Sequence, residues 1–464
     1  MDKETVRKHF DLIAKDYDEW KKKNSYYYNE LKSFIRRIVR PKSSVLDIGT
    51  GTGEILAALE PSLGVGIGIS HEMVKRAKEK FPELNFIAIS IEEFRYPEKF
   101  DYIVMIDLID HAYDIIDILE NVHTFCHHQT KVIITTINPW WEPLLLLMEK
   151  LRQKMPEGPH NFIERRNLSK IIEFLDFSVA ETGYLLLFPK YIPILSRLAN
   201  RLGVKIWGVN KFSFVHYTVL RPLPENNTDL GLGCSVIIPC YNEEANIEEA
   251  VRRVPRMGKH TEIIVVNDGS TDRTSEAVQR LLGEFPDLKL IDYSPRRGKG
   301  YAVKKGFESA TQEVVMILDA DMSVMPEELP RFFKLLNKGV CDFVNGTRMV
   351  YHPMQEQAMR FWNLLGNKIF SLILTFITGQ HLTDTLCGTK AMYKKDFQYI
   401  KMGIDKWGDF DLLFGAARLG NKIMEIPVHY AARRSGESKM KTFRHGLHLL
   451  KGCFRGFKEV VLRR

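Results

Sequence analysis

The 464-residue sequence has no paired CxxC spacing; its six cysteines (Cys126, Cys234, Cys240, Cys341, Cys387, Cys453) are scattered. That excludes a disulfide framework and a structural zinc site and points to a reducing compartment. No apolar run reaches the ~20 residues of a spanning helix; the longest, at 369–378, is about half that length. The start, Met1–Asp2–Lys3–Glu4, is too charged for a signal peptide. There is no internal repeat, no low-complexity tract and no basic module interleaved with aromatics, so no nucleic-acid partner is expected. Nor does one sign of charge dominate. The chain has 66 Lys and Arg against 58 Asp and Glu, a net charge of +8 that fits anionic partners such as phosphates or an acidic membrane.

With 45% hydrophobic and 27% charged residues, this is ordinary globular protein, and its length exceeds what one core usually supports. Around Pro222 and Pro224 the chain is polar and lacks periodicity. This predicts a first domain over 1–222, a linker over 223–232 and a second domain over 233–464. The first opens with an aromatic-rich helical segment near 10–40. Short buried-type strands follow at 44–48, 65–69, 102–106 and 131–137, separated by helical patterns. The second half repeats the alternation. Both halves therefore read as α/β, each a parallel, doubly wound sheet.

In the first half, the strand Val45–Leu46–Asp47–Ile48 runs into Gly49–Thr50–Gly51–Thr52–Gly53, with a helix from about Glu54. Glycines let the backbone turn tightly and approach a ligand, and a helix amino terminus favours negative charge. A later strand ends in Asp107–Leu108–Ile109–Asp110–His111. Residues 5–220 resemble class I S-adenosylmethionine-dependent methyltransferases with a Rossmann-like fold. The resemblance implies that Asp47, Gly49, Gly51, Gly53 and Ser70 line an S-adenosylmethionine site. Two positions depart from that family: Gly68 stands where an acid usually binds the ribose hydroxyls, and Ser90 where another acid caps the next strand. Losing the ribose contact costs roughly 1.5–3 kcal/mol. Imidazole titrates near neutral pH, so His111 could be a general base for a hydroxyl acceptor, but a lone histidine beside a strand end is more often structural, and that reading ranks higher. Trp140–Trp141 and the apolar residues at 144–147 read as an acceptor lid or as core.

In the second half three apolar strands break into polar residues at their carboxyl ends, where open α/β sheets bind ligands. They lead to Pro239–Cys240–Tyr241–Asn242–Glu243–Glu244, Asn267–Asp268–Gly269–Ser270–Thr271–Asp272 and Asp319–Ala320–Asp321, with Arg297–Gly298–Lys299–Gly300 between the last two. This order resembles GT-A glycosyltransferases of family 2. Gly346–Thr347–Arg348, Asp384–Thr385–Leu386–Cys387–Gly388–Thr389–Lys390 and Arg434–Ser435–Gly436–Glu437–Ser438–Lys439 resemble the polyprenyl- and dolichol-phosphate sugar synthases within it.

The Asp319/Asp321 pair is a hard oxygen site suited to Mg²⁺ or Mn²⁺. The resemblance places Pro239, Tyr241, Glu243 and Asp268 at a nucleotide-sugar donor. Lys299 follows a glycine turn and can reach a phosphate, while Arg348, Arg434 and Lys439 would meet a departing diphosphate or an acceptor phosphate. Ser323 stands where mannose-transferring relatives place a glutamine ligand. A phosphate acceptor needs no general base, whereas a sugar hydroxyl does. Asp409 or Asp411 would be that base, or would orient the sugar. Gln357–Ala358–Met359–Arg360–Phe361 is a poor match to the Gln-X-X-Arg-Trp of processive synthases and comes too early, so one sugar is expected per acceptor.

Apolar residues recur at helical spacing over 361–373, and 439–464 mixes Phe and Leu with Lys and Arg. Both patterns fit interfacial helices on an anionic leaflet, or helices packed on their own domain. The expectation is an inverting, metal-dependent glycosyltransferase using a polyprenyl phosphate, fused to a methyltransferase of the same glycan or glycolipid pathway. It would be cytoplasmic, at the inner face of the membrane. The alternative is a hydroxyl-directed glycosyltransferase carrying a non-catalytic methyltransferase-like scaffold. The sequence leaves the oligomeric state open.

Overall fold

The computed structural model describes residues 3–156, 161, 165–193, 195–206, 208–224, 228–351, 361–403, 408–430 and 452–461. The chain separates into two compact units, Met1–Glu225 and Asn226–Arg464. Leu223 N–H donates to the Asp176 carbonyl (2.7 Å) in the first unit. The stretch after the boundary is held within the second, where Leu230 and Leu232 N–H donate to Asn337.

Among the described residues the first unit has seven strands: β1 (Ser44–Ile48), β2 (Leu63–Gly68), β3 (Asn85–Ala88), β4 (Phe100–Ile106), β5 (Cys126–Ile137), β6 (Phe177–Leu185) and β7 (Val215–Pro222). Their order is β3-β2-β1-β4-β5-β7-β6. Val45, Leu46, Ile103, Val104, Val132 and Ile133 are all fully buried. Such strands, covered on both faces, read as continuous apolar runs rather than alternating ones. Helix Ser25–Ile38 buries Tyr27, Leu31, Phe34 and Ile35, a spacing that makes one apolar face. Phe34 and Ile35 pack with Val45, Val104 and Ile133 of the sheet. The aromatic-rich opening segment is three helices, Lys3–Ile13, Tyr17–Lys23 and Ser25–Ile38.

The described residues of the second unit also form seven strands: β8 (Cys234–Cys240), β9 (Thr261–Asp268), β10 (Leu288–Tyr293), β11 (Val314–Ile317), β12 (Phe343–Thr347), β13 (Lys390–Tyr393) and β14 (Ile423–Pro427). They lie in the order β10-β9-β8-β11-β13-β12-β14. Helix Lys299–Ser309 lies so close to β8 that a Cβ at Gly306 would fall 2.4 Å from Ile237 Cγ2.

The expectation of wholly parallel sheets is corrected in both units. β7 runs antiparallel to β5 and β6, and β13 antiparallel to β11 and β12. A strand buried between two neighbours needs the same apolar residues whichever way it runs, so periodicity does not report its direction.

Helix Phe361–Thr378 buries Phe370, Leu374 and Ile377 yet leaves Ile369, Leu372 and Phe376 exposed. Of the carboxyl segment, Cys453 and Val460 are buried while Phe454 is exposed. No helix among the described residues is long and apolar enough to cross a membrane.

Candidate functional site

In the second unit, the carboxyl ends of β8, β9 and β11 converge with the loop before β13 and helix Asp409–Leu419. Asn242 follows β8 with φ 55° and cross-links to the loop after β9: its N–H donates to Ser270 Oγ (2.9 Å), and its Oδ1 accepts from Thr271 N–H (2.8 Å). Glu243 N–H donates to Thr274 Oγ1 (2.9 Å) and its carboxylate accepts from Asn246 (2.8 Å). Tyr241 lies under the Arg296 guanidinium, 3.7 Å from ring centroid to Cζ. Asp268 is buried and organises the glycine turn, accepting from Tyr293 Oη (3.0 Å) and from the N–H groups of Arg297 (2.7 Å) and Gly298 (2.8 Å). Pro239 is buried inside β8.

Lys299, first residue of its helix, is ion-paired with Asp319 Oδ1 at the end of β11. Burial works against the Lys299 charge, but Asp319, Asp409 and Asp321 outweigh it and hold the ammonium above the usual lysine range. Asp321 Oδ1 accepts from Ser323 N–H (3.1 Å). Gly388 presses on this pair: a Cβ there would lie 2.0 Å from Asp319 Oδ2 and 2.7 Å from Lys299 Nζ. Asp409 Oδ1 receives the Lys390 ammonium at 2.9 Å, and Lys390 also donates to the Cys387 carbonyl. Lys390 is 1% and Asp409 7% exposed, so this ion pair is internal. Asp411 Oδ2 accepts from Gly403 N–H (2.9 Å).

Arg348 does not stand alone. Its Nε and Nη2 fork onto Asp384 at 2.6 and 2.8 Å, and its N–H reaches the same carboxylate at 3.0 Å. Asp384 is fully buried, and the Arg348 charge holds it below the usual carboxylate range against the opposing effect of burial. Glu425, also buried, accepts from Thr383 N–H (2.8 Å) and Asp384 N–H (3.2 Å), fixing that loop. Arg434 and Lys439 lie outside the described residues, as do Gln357 and Arg360. Lys390, Asp384 and Glu425 were not singled out from the sequence. Lys390 and Asp384 bounded a motif that was, but nothing in linear spacing shows which buried acid meets which base.

Two carboxylates at a half-exposed strand end are the donors a protein gives an ion that shares its other positions with water and phosphate. Asp319, its side chain 26% exposed, and Asp321 fit Mg²⁺ or Mn²⁺ on that basis. Among the described residues, no three His, Cys, Asp or Glu side chains form a protein cage for a metal.

In the first unit, a cavity of about 550 Å³ lies at the carboxyl ends of β1, β2 and β4. Asp47, Gly49, Gly51 and Ser70 line it, together with Ser90 and Asp107. Gly49, Gly51 and Gly53 take φ of 78°, 53° and 80°, which side chains resist. Gly53 stands back from the cavity, where a Cβ would meet Phe86 at 2.7 Å. Burial pushes Asp47 up to about 6, against the pull of Thr50 Oγ1, which donates to it at 2.8 Å, and of Lys21.

Lys21, missed in the sequence, also lines the cavity, its ammonium 4.7 Å from the Tyr17 ring centroid and 5.2 Å from that of Tyr28. Burial lowers it to about 8, resisted by Glu54 and Asp18. The aromatic density of the opening helices was the available signal. Ser70 Oγ donates to Asp11 (2.6 Å) and caps the next helix by accepting from Met73 N–H (3.1 Å). At Gly68 a Cβ would meet nothing nearer than 3.8 Å, so the place of the missing acid is open. Ser90 Oγ is buried without a hydrogen-bond partner among the described residues. His111 packs edge-on against Phe10, with ring centroids 5.4 Å apart.

Residues 235–400 match the model of glycosyl transferase family 2. A dolichol-phosphate mannosyltransferase of Pyrococcus furiosus is 31% identical over 213 residues, 45% of this chain; the chain spans 59% of that relative's length. A dolichyl-phosphate β-glucosyltransferase of Trichomonas vaginalis is 30% identical over 280 residues, 53% of this chain and 80% of the relative. The chain belongs to glycosyltransferase family 2. Ahead of that domain, residues 21–182 match a methyltransferase domain model, so this family 2 glycosyltransferase carries a methyltransferase domain on its amino side. Among solved structures, magnesium protoporphyrin IX methyltransferase from Synechocystis with bound SAH covers 48% of the chain and 100% of its own, at 16% identity and a TM-score of 0.35. The two family-model matches follow in the order expected, the methyltransferase domain on the first seven-stranded α/β sheet and the family 2 glycosyltransferase on the second.

Proposed function

We propose that the second unit transfers one sugar from a nucleotide-sugar to a polyprenyl phosphate at the cytosolic membrane face, with inversion. The observation that carries this reading is the Lys390–Asp409 ion pair. The acid positioned to serve a hydroxyl acceptor is buried and engaged by an ammonium, and Asp411 is engaged by Gly403 N–H. A phosphate acceptor brings its own oxyanion and needs no base. Its oxygen attacks the anomeric carbon opposite the leaving group, the bond from that carbon to the diphosphate oxygen breaks, and the nucleoside diphosphate departs. Lys299 holds Asp319 in place and supplies positive charge beside it. Asp319 and Asp321 would hold Mg²⁺ or Mn²⁺, which when bound neutralises the diphosphate. Glu243 and Asp268 would flank the nucleoside, Asp268 by shaping the turn at Arg297 and Gly298.

The relatives named for dolichol phosphate support the lipid acceptor. The exposed Ile369, Leu372, Phe376 and Phe454 support contact with a membrane surface.

In the first unit, we assign the cavity to S-adenosylmethionine. Lys21 would meet the carboxylate of its amino-acid end, and Asp47 and the Gly49–Gly51 turn would close around it. The unpartnered Ser90 hydroxyl would bind the nucleoside end, where the space at Gly68 leaves the ribose without its usual acid. The methyl acceptor would belong to the same glycan or glycolipid pathway.

The test is transfer and donor hydrolysis across UDP- and GDP-sugars with Mg²⁺ or Mn²⁺, with and without a short polyprenyl phosphate. Transfer to the lipid phosphate supports the reading. Donor turnover with transfer only to saccharide hydroxyls overturns it.

A further inference from the structure

The cavity of the first unit is mostly apolar away from its glycine end, and it reaches the surface between two elements. Helix Glu142–Lys150 lines it with Leu144, Leu145 and Met148, and the loop after β6 with Phe188 and Pro189. Leu144 is 45% and Phe188 36% exposed, so the wall is also the rim. Around that rim the apolar surface continues. Trp140 packs on Phe212 at 5.9 Å, and Trp141 Nε1 donates to the Phe212 carbonyl at 2.9 Å. Asn200, on helix Leu195–Leu202, brackets Phe188 through its N–H (2.9 Å) and carbonyl (2.9 Å). Trp140, Leu198, Ile206 and Phe212 are 77%, 57%, 54% and 56% exposed.

The charge of this segment is one-sided. Residues 182–220 include Lys190, Arg197, Arg201, Lys205 and Lys211 and contain no Asp or Glu. The acids of the neighbouring helix, Glu142 and Glu149, are half-buried. Large exposed apolar side chains beside the exposed Lys190 and Lys211 complement an anionic bilayer surface: the apolar residues enter the acyl boundary and the cations meet the headgroups. A globular surface would not leave such a patch uncovered without a partner. We propose that this rim docks the first unit on an anionic membrane and that its cavity takes a lipid-borne acceptor from that surface. The assignment of the acceptor rests on the cofactor reading above; the docking surface does not.

All six native cysteines are buried, so a thiol introduced by Leu198→Cys in the full chain can be labelled selectively with an environment-sensitive fluorophore. Phosphatidylcholine vesicles containing phosphatidylglycerol should raise and blue-shift its emission, in a salt-sensitive way, while pure phosphatidylcholine does so weakly. The same label at exposed Lys78 (Lys78→Cys) should not respond. Adding Ile206→Glu and Phe212→Glu, both at exposed positions, should raise the vesicle concentration needed by about tenfold or more. A silent Leu198 label on a chain that still floats with the vesicles overturns the proposal, because the second unit then carries the membrane contact alone. So does a shift that follows protein concentration without vesicles, which would mark the rim as an interface between copies. S-adenosylmethionine binding is measured calorimetrically on the same chain. A responding label without cofactor binding keeps the docking surface and overturns the acceptor assignment.

Discussion

Gly388 offers the sharpest test of the glycosyltransferase site. Its φ is not among the positive values, so an alanine there adds a methyl group without backbone strain. That methyl would stand 2.0 Å from Asp319 Oδ2 and 2.7 Å from Lys299 Nζ. Carbon and oxygen in contact rest ~3.3–3.6 Å apart, so the carboxylate must withdraw by more than an ångström. It cannot do so without disturbing its ion pair with Lys299. A misplacement of about 1 Å at a reacting centre costs roughly 100-fold. Gly388→Ala should therefore lower sugar transfer about 100-fold in kcat/KM, while the displaced side chains cost the fold only about 1–3 kcal/mol. Steady-state transfer kinetics and a thermal unfolding curve on the same preparation read both effects. A folded Gly388→Ala protein with turnover within about threefold of the parent would refute the placement of Asp319 at the reacting centre.

Asp321→Ala should abolish transfer and leave the unfolding transition in place, since the side chain is only half-buried at the end of β11 and its carboxylate accepts from Ser323 N–H; full activity in a transfer assay would sink its assignment. Asp409→Asn should destabilise the second unit by about 3–5 kcal/mol, because it strands the Lys390 ammonium in the interior. With a phosphate acceptor, the fraction that remains folded should keep most of its kcat, which chemical unfolding and kinetics together would show. Asp47 carries a pH signature. Its carboxyl is raised to about 6 in the native state, so between about pH 4 and 6 the native state holds a proton that the unfolded chain has lost. Stability falls as pH rises through that window, by about 3 kcal/mol in all. Asp47→Asn should remove the slope and gain its stability at pH 7 but not at pH 4, as urea titrations at several pH values would record. Lys21→Gln should weaken S-adenosylmethionine binding by roughly 10- to 100-fold, the scale of a hydrogen bond to a charged group, and unchanged calorimetric affinity would exclude it from the site.

The strands that end in chemistry were the legible part. A continuous apolar run stopping at Asp47, Asp268 or Asp319 records both a sheet buried on two faces and the edge where ligands bind. The direction of β7 and β13 was not legible, and β3, β6 and β7 of the first unit and β10, β12, β13 and β14 of the second were not named from the sequence. β3 has only four residues, and β6 is largely half-buried or exposed, so neither makes a clean apolar run. Arg348 looked like a free positive charge awaiting a phosphate; the structure closes it onto Asp384, 36 residues away. Asp409 read as a base or as a group that orients the sugar; its pairing with Lys390 was not visible in the sequence. Both pairings escaped the sequence for the same reason. Residue type and spacing show that a charge exists, but its neutralisation happens across strands, through contacts that carry no period.

Those neutralised charges bear on the choice of acceptor. Asp319 lies against Lys299, Asp409 against Lys390 and Asp384 against Arg348, so three of the acids around the cleft each meet a cation. An arrangement built to remove a proton from a sugar hydroxyl needs one carboxylate able to leave its partner and accept it. Here Asp409 is gripped from within the core, and a buried pair is costly to open, while Asp411 is engaged by Gly403 N–H. A cleft serving a phosphate acceptor has the opposite requirement. It must tolerate the negative charge of donor and acceptor together, which acids already matched by cations allow and unmatched acids would oppose. An Asp409 held by Lys390 makes a poor base, and acids matched by cations leave room for a second anion; both considerations support the proposed lipid phosphate over the hydroxyl.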